Sequence, residues 1–340
     1  MHMADALLSA AVGGTMCAVS AAAIAYSVTE IKKDELSEKK IPVMAVAGAF
    51  VFSAQMINFA IPGTGSSGHI GGGILLASLL GGFPALLTIS AVLIIQCLFF
   101  ADGGLLALGC NIFNLGVIPC LFVYPLLYKP MLSKKFDLSG ICAASITAVV
   151  VNLQLGAFGV VLQTQASGIT GLPFSAFALL MQPIHLAIGI VEGLITASVL
   201  SFVYKMRPEI LESANLRTPV GKTVSLRDLA IALAVITIMA GGLFSVFASS
   251  RPDGLEWAIE KTAGTMEPEI KEPLLDGAAK IQKTVAFLPD YNYEFFGKNS
   301  PSAGKSAAGI IGSIMTFLLA GGSALIISAV KKSRKKGAST

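Results

Sequence analysis

Apolar runs of membrane-crossing length recur through most of this chain, and they constrain its fold more than any single motif. They cover roughly residues 6–28, 42–59, 84–100, 105–128, 141–162, 173–203, 228–248 and 307–330, with a shorter run at 74–80. A helix needs about 20 apolar residues to cross a hydrocarbon core. The run at 74–80 is too short to do so unaided, and Gly81-Gly82-Phe83-Pro84 reads as a break between two helices buried within a bundle, where irregular backbone is tolerated. Only 13% of the 340 residues are charged, against about 25% in soluble proteins, too few to coat a water-facing surface. The sequence therefore reads as an all-α integral membrane protein.

Charge then sets the expected orientation. The net charge is +4, but the basic residues form short clusters between apolar blocks, which points to membrane topology rather than nucleic acid. Lys32, Lys33, Lys39 and Lys40 follow the first helix; Lys129, Lys134 and Lys135 the fifth; Lys205, Arg207, Arg217, Lys222 and Arg227 the seventh; and Lys331, Lys332, Arg334, Lys335 and Lys336 end the chain. These fall on one side, so the positive-inside rule puts the N-terminus outside and the C-terminus in the cytoplasm. The remaining seven basic residues lie with nine acids in segment 249–305, which is expected outside. The opening residues lack the basic flank of a cleavable signal and are expected to be retained. Pro208, Pro219 and Gly221 mark a cytoplasmic linker at 207–227. It separates a seven-helix domain (1–206) from a two-helix accessory domain (228–336) that carries segment 249–305. Cys17, Cys97, Cys110, Cys120 and Cys142 all fall in apolar runs without CxxC spacing and read as buried small hydrophobes.

Two of the three histidines, His2 and His69, fall on the same expected outer face. A histidine at position 2 can chelate through the terminal amine of Met1, its own backbone nitrogen and its imidazole Nδ1, which gives three nearly coplanar nitrogens. With His69 as the fourth, this set suits Ni(II) or Cu(II), with Co(II) possible, better than tetrahedral Zn(II). Six glycines within Pro62–Gly73 supply turns that can bring His69 toward the bundle. The bland alternative is a frayed terminal His2 and a surface His69. Asp5, Gln96 and Asp102 are candidates to orient the imidazoles, as metal-ligating histidines usually require, or they are caps and packing polars. His185 and Glu192, seven apart on one helix face, are either a proton relay or packing groups, with Glu192 bonded to polars such as Asn111, Asn114, Asn152 or Gln182. Ala18, Ala21, Ala22 and Ala25 form a small-residue face, for an internal helix or a separate membrane subunit. Gly304-Lys305-Ser306 lacks the first glycine of a phosphate loop, so this chain is not expected to hydrolyse ATP.

The opening Met1-His2-Met3-Ala4-Asp5-Ala6-Leu7-Leu8-Ser9, the loop Gly68-His69-Ile70-Gly71-Gly72-Gly73 and the run Gln96–Asn114 resemble the substrate-capture (S) subunit of nickel and cobalt energy-coupling-factor (ECF) transporters, the CbiM/NikM family. Residues 228–330, with Pro252-Asp253-Gly254-Leu255-Glu256 and Pro289-Asp290-Tyr291, resemble the CbiN/NikN-like (PDGLE) accessory subunit of those systems. The resemblance implies a seven-helix ECF capture bundle in a prokaryotic inner membrane. Met1, His2 and His69 would bind Ni(II) or Co(II) as cargo, and a transmembrane coupling (T) protein and cytoplasmic ATPases would drive import. Its implied metal is nickel, with cobalt for cobalamin synthesis as the alternative. The family often opens MHIPDG or MHIMEG, whereas Met3, Ala4 and Ala6 stand here. A proton-coupled secondary metal transporter using His185 and Glu192 is a rival reading. An intramembrane hydrolase is a weaker one, since neither HExxH nor GxSxG occurs.

Overall fold

The computed structural model describes residues 1–33, 40–216, 226–265, 273–291 and 301–337. The region expected to form the capture domain comprises α1 (Ala10–Lys33), α2 (Lys40–Gln55), α3 (Gly73–Leu80), α4 (Gly82–Phe100), α5 (Leu108–Lys134), α6 (Leu138–Ser167) and α7 (Phe174–Met206). A short α8 (Pro208–Leu216) follows. The described residues of the region expected to form the accessory domain contain α9 (Arg227–Phe247), α10 (Gly254–Ala263), α11 (Pro273–Val285) and α12 (Pro301–Gly337). Among the described residues seven helices are long and apolar enough to cross a membrane: α1, α4, α5, α6, α7, α9 and α12. This is a multi-pass, all-α membrane protein. Much of the expected linker, 217–225, lies outside the described residues.

The break foreseen at Gly81 is present. Gly81 has φ 87°, a left-handed conformation that strains any residue with a Cβ, and it separates α3 from α4. Every residue of α3 is buried, so the chain reverses inside protein rather than against lipid. In α5 the turns widen from Phe113 to Tyr128, around Pro119 and Pro125, whose missing N–H groups leave the ordinary ladder incomplete.

The accessory helices α9 and α12 pack on each other through close backbone approach, and α12 is bonded to α2. A Cβ at Gly309 of α12 would meet the Gly241 carbonyl oxygen of α9 at 2.6 Å, so these two helices touch main chain to main chain. Ser53 of α2 and Ser313 of α12 share a buried hydroxyl hydrogen bond of 2.6 Å. Small residues and polar contacts of this kind are what drives association where lipid is as apolar as the side chains. By contrast, Ala18, Ala21, Ala22 and Ala25 of α1 are exposed among the described residues. The five cysteines are free; Cys97, Cys110 and Cys120 are buried, while Cys17 and Cys142 are partly so.

Candidate metal site

One end of the bundle gathers residues 1–9, the loop 56–72, the loop 101–107 and, from the accessory region, residues 249–265 and 273–291. The first residues are threaded inward and fixed by their own backbone. The Met3 N–H donates to Asn111 Oδ1 at 2.8 Å, and the Met3 carbonyl accepts from Asn111 Nδ2 at 3.2 Å and from the Gly104 N–H at 2.9 Å. Asp5 is buried and accepts the Ala107 N–H at 2.8 Å. It anchors the 101–107 loop rather than orienting an imidazole, and burial raises its pKa.

His69 follows a two-residue antiparallel pairing of Phe59–Ala60 with Ser67–Gly68. The glycines do what their number suggested: Gly63, Gly65 and Gly72 take positive φ, and a Cβ on Gly72 would meet Val51 at 2.6 Å. Glu192, buried in α7, accepts the N–H groups of Gly71 at 2.8 Å and Gly72 at 2.9 Å. Its partners are thus the glycine-loop backbone and not the amide side chains Asn111, Asn114, Asn152 or Gln182. Gln96 acts on the same loop at one remove, donating to Gln55 Oε1 at 2.8 Å, while Gln55 Nε2 donates to the Gly71 carbonyl at 3.0 Å. His185 donates from Nδ1 to the Met181 carbonyl at 2.8 Å, and its buried Nε2 has no hydrogen-bond partner among the described residues.

Met1, His2 and His69 come together. The terminal nitrogen of Met1 lies 3.4 Å from His69 Nε2, and the rings of His2 and His69 stack with centroids 5.3 Å apart. His69 Nδ1 faces the Ile70 carbonyl at 3.0 Å. A carbonyl only accepts, so Nδ1 carries the proton and Nε2 presents its lone pair. Burial, then the adjacent terminal ammonium and His2, lower the His69 pKa to about 4. The ring is therefore neutral and able to ligate at neutral pH.

Two carboxylates complete the site. The terminal ammonium donates to Asp253 Oδ2 at 2.5 Å. Burial opposes ionisation of Asp253, but the ammonium and His69 hold its carboxyl well below the usual range. His2 Nδ1 donates to Asp102 Oδ1 at 2.8 Å, and the Tyr291 hydroxyl donates to Asp102 Oδ2. Burial again opposes ionisation of Asp102, but His2 and Tyr291 bring its pKa down to about 2. Asp102 thus does contact an imidazole, as the sequence suggested, while Asp253 and Tyr291 come from the accessory domain and were not foreseen as site residues. The sequence hints were the motifs Pro289-Asp290-Tyr291 and Asp253-Gly254-Leu255-Glu256, the second of which forms the capping box that starts α10. Docking of this loop is backbone-directed: the Ser67 N–H donates to the Pro252 carbonyl at 2.8 Å, the Ser249 N–H to the Asn58 carbonyl at 2.8 Å, and Trp257 Nε1 to the Thr64 carbonyl at 3.0 Å. A cavity of about 250 Å³ lies between the domains, lined among others by His2, His69, Asp102, Asp253, Glu256 and Tyr291.

Residues 2–210 match the family described as the cobalt uptake substrate-specific transmembrane region, CbiM. The chain belongs to the CbiM family. Residues 227–329 match the PDGLE domain, so a CbiM region and a PDGLE region share one polypeptide. The chain is 29% identical over 360 residues to the fused nickel transport protein NikMN of Rhodobacter capsulatus, covering 97% of this chain and 96% of that one. It is 31% identical over 319 residues to an Archaeoglobus fulgidus protein assigned as a fused nickel transport protein NikMN, covering 94% and 96%. A crystal structure of a transition metal transporter aligns with a TM-score of 0.54 at 28% identity, covering 64% of this chain and all of that one.

Proposed function

We propose that this chain is the metal-capture component of an ATP-driven ECF-type importer of Ni(II), with Co(II) as the alternative cargo. The Met1 terminal amine, the His2 backbone nitrogen and Nδ1, and His69 Nε2 bind the ion. The observation that carries this reading is the convergence of Met1, His2 and His69 from positions 68 residues apart, with the His69 Nε2 lone pair turned toward the terminal nitrogen at 3.4 Å. Four nitrogens of this kind favour a planar field, which suits Ni(II). The similarity over nearly full length to fused nickel transport proteins supports the same cargo.

In this reading the capture domain is 1–206, the linker 207–227 and the accessory domain 228–336. The site end faces outward and the C-terminus lies in the cytoplasm, as the Lys and Arg clusters suggest. A T protein and cytoplasmic ATPases supply coupling and energy, and the exposed alanine face of α1 is a surface for the T protein. The accessory segment 249–305 helps load or gate the site. Competitive Ni(II)/Co(II) titration of the purified chain, with His2→Ala and His69→Ala alongside, tests the ligand assignment. Each variant should lose stoichiometric metal, and retention by both would exclude the proposed ligands.

A further inference from the structure

We infer that Tyr291 is a positioning residue through which the accessory domain holds the capture site in its ion-free form. The hydroxyl of Tyr291 fixes Asp102, and Asp102 keeps His2 Nδ1 out of the chelate. This deepens the proposed function and rests on its ligand set. One nitrogen cannot carry a proton toward a carboxylate and a metal ion at once. His2 Nδ1 is 2.8 Å from Asp102 Oδ1, so this hydrogen bond and the chelate are mutually exclusive. The Met1 amine faces no such exclusion, because a metal-bound amine keeps N–H donors that can still meet Asp253.

Asp102 is itself held from the accessory side. Its other oxygen accepts the Tyr291 hydroxyl, while the Tyr291 ring stacks on Phe100 with centroids 5.1 Å apart. The Leu288 N–H donates to the Phe99 carbonyl at 3.2 Å, and Gln282 Nε2 donates to the Gly103 carbonyl at 2.6 Å. These contacts clamp the accessory chain against the Asp102 loop. Asp290 and Tyr291 have φ of 51° and 58°, a left-handed pair that non-glycine residues adopt only when their surroundings enforce it.

A contact made only in the ion-free state weakens ion binding, and ion binding weakens that contact by the same factor. Metal capture therefore exchanges the His2–Asp102 bond for His2–metal and loosens Tyr291. After inward delivery the same bonds re-form and oppose recapture.

The test is Tyr291→Phe in the full-length purified chain, which removes the hydroxyl and keeps the stacked ring. Ni(II) alone should bind this variant tighter than wild type, by about 5- to 150-fold, the usual span of such couplings, with an unchanged Ni(II) absorption spectrum. Hydrogen exchange at residues 288–291 of the wild-type chain should rise when Ni(II) is added. Unchanged or weaker affinity in Tyr291→Phe, or exchange indifferent to Ni(II), overturns the proposal. His2→Ala and His69→Ala separate the two levels: if they keep the metal, the ligand set fails, whereas if they lose it and Tyr291→Phe does not tighten binding, only the hold on His2 fails.

Discussion

Glu192→Ala should weaken Ni(II) binding without touching any proposed ligand. The carboxylate is 1% exposed and accepts two N–H groups, from Gly71 and Gly72, at 2.8 and 2.9 Å. Truncation to alanine strands two buried donors, at about 1–3 kcal/mol each, or about 2–6 kcal/mol for this loop conformation. Polar contacts in membrane bundles contribute less than that range suggests, averaging about 0.6 kcal/mol in measured cycles, so the lower end is the better expectation. About 2 kcal/mol corresponds to a roughly 30-fold loss of affinity, because His69 is two residues from Gly71 and an imidazole displaced with the loop cannot complete a planar site. Glu192→Gln, which keeps one acceptor oxygen, should fall between wild type and alanine. Competitive Ni(II) titration of each purified variant, with hydrogen exchange at residues 69–73, reads both affinity and loop order. If alanine and glutamine variants bind Ni(II) within about threefold of wild type, a difference below 1 kcal/mol, while transport stops, Glu192 serves a proton step and this account of it fails.

Residues added ahead of Met1 should abolish high-affinity Ni(II) binding, by more than the roughly 100-fold that losses outside the ligand shell reach, because the amine becomes an amide and Asp253 loses its ammonium; an extended chain that titrates like wild type would refute the terminal ligand. For pH, His69 stays neutral in the folded chain down to about 4, whereas an unfolded histidine protonates near 6.5. Between those values the unfolded state binds the extra proton, so this contribution to stability is present above about 6.5 and lost as pH falls toward about 4. The thermal midpoint of the metal-free chain should fall across that window, and His69→Gln should flatten the fall. Gly309→Val should lower the thermal midpoint by forcing α12 off Gly241; a variant as stable as wild type would show that the α9–α12 contact is not close packed.

The proposed ligands stand out in the sequence because they are rare residues in telling places. Three histidines occur in 340 residues, one at position 2 and one inside a glycine-rich loop, and the chelate chemistry follows from covalent connectivity alone. The break at Gly81 was legible for a similar local reason. Glu192 was legible as a buried acid on the face of His185, but its partners were not, since backbone N–H groups of glycine leave no side-chain signature. Asp253 and Tyr291 were out of reach in the same way. Their contacts run to Met1 and Asp102, 252 and 189 residues away, and neither residue sits in a periodic pattern that would point at a distant partner.

What sets those distant contacts is the packing of the accessory helices more than the covalent linker. α9 and α12 close on each other at Gly241 and Gly309, and α12 is pinned to α2 by the Ser53–Ser313 hydroxyl pair. α2 also leads directly into the loop that carries His69. The accessory chain leaves α9 at Phe247, bonds to Asn58 from Ser249 and to Ser67 from Pro252, and so reaches Asp253 with little freedom left to lose. A donor or acceptor held in this way is preorganised, and ordering it adds little to the entropic cost of binding. The same rigidity makes the site discriminating. With Asp102 already at the imidazole, an ion entering the proposed ligand set must compete with that carboxylate for His2 Nδ1, and a cation that gains strongly from nitrogen donors has the most to gain by the exchange.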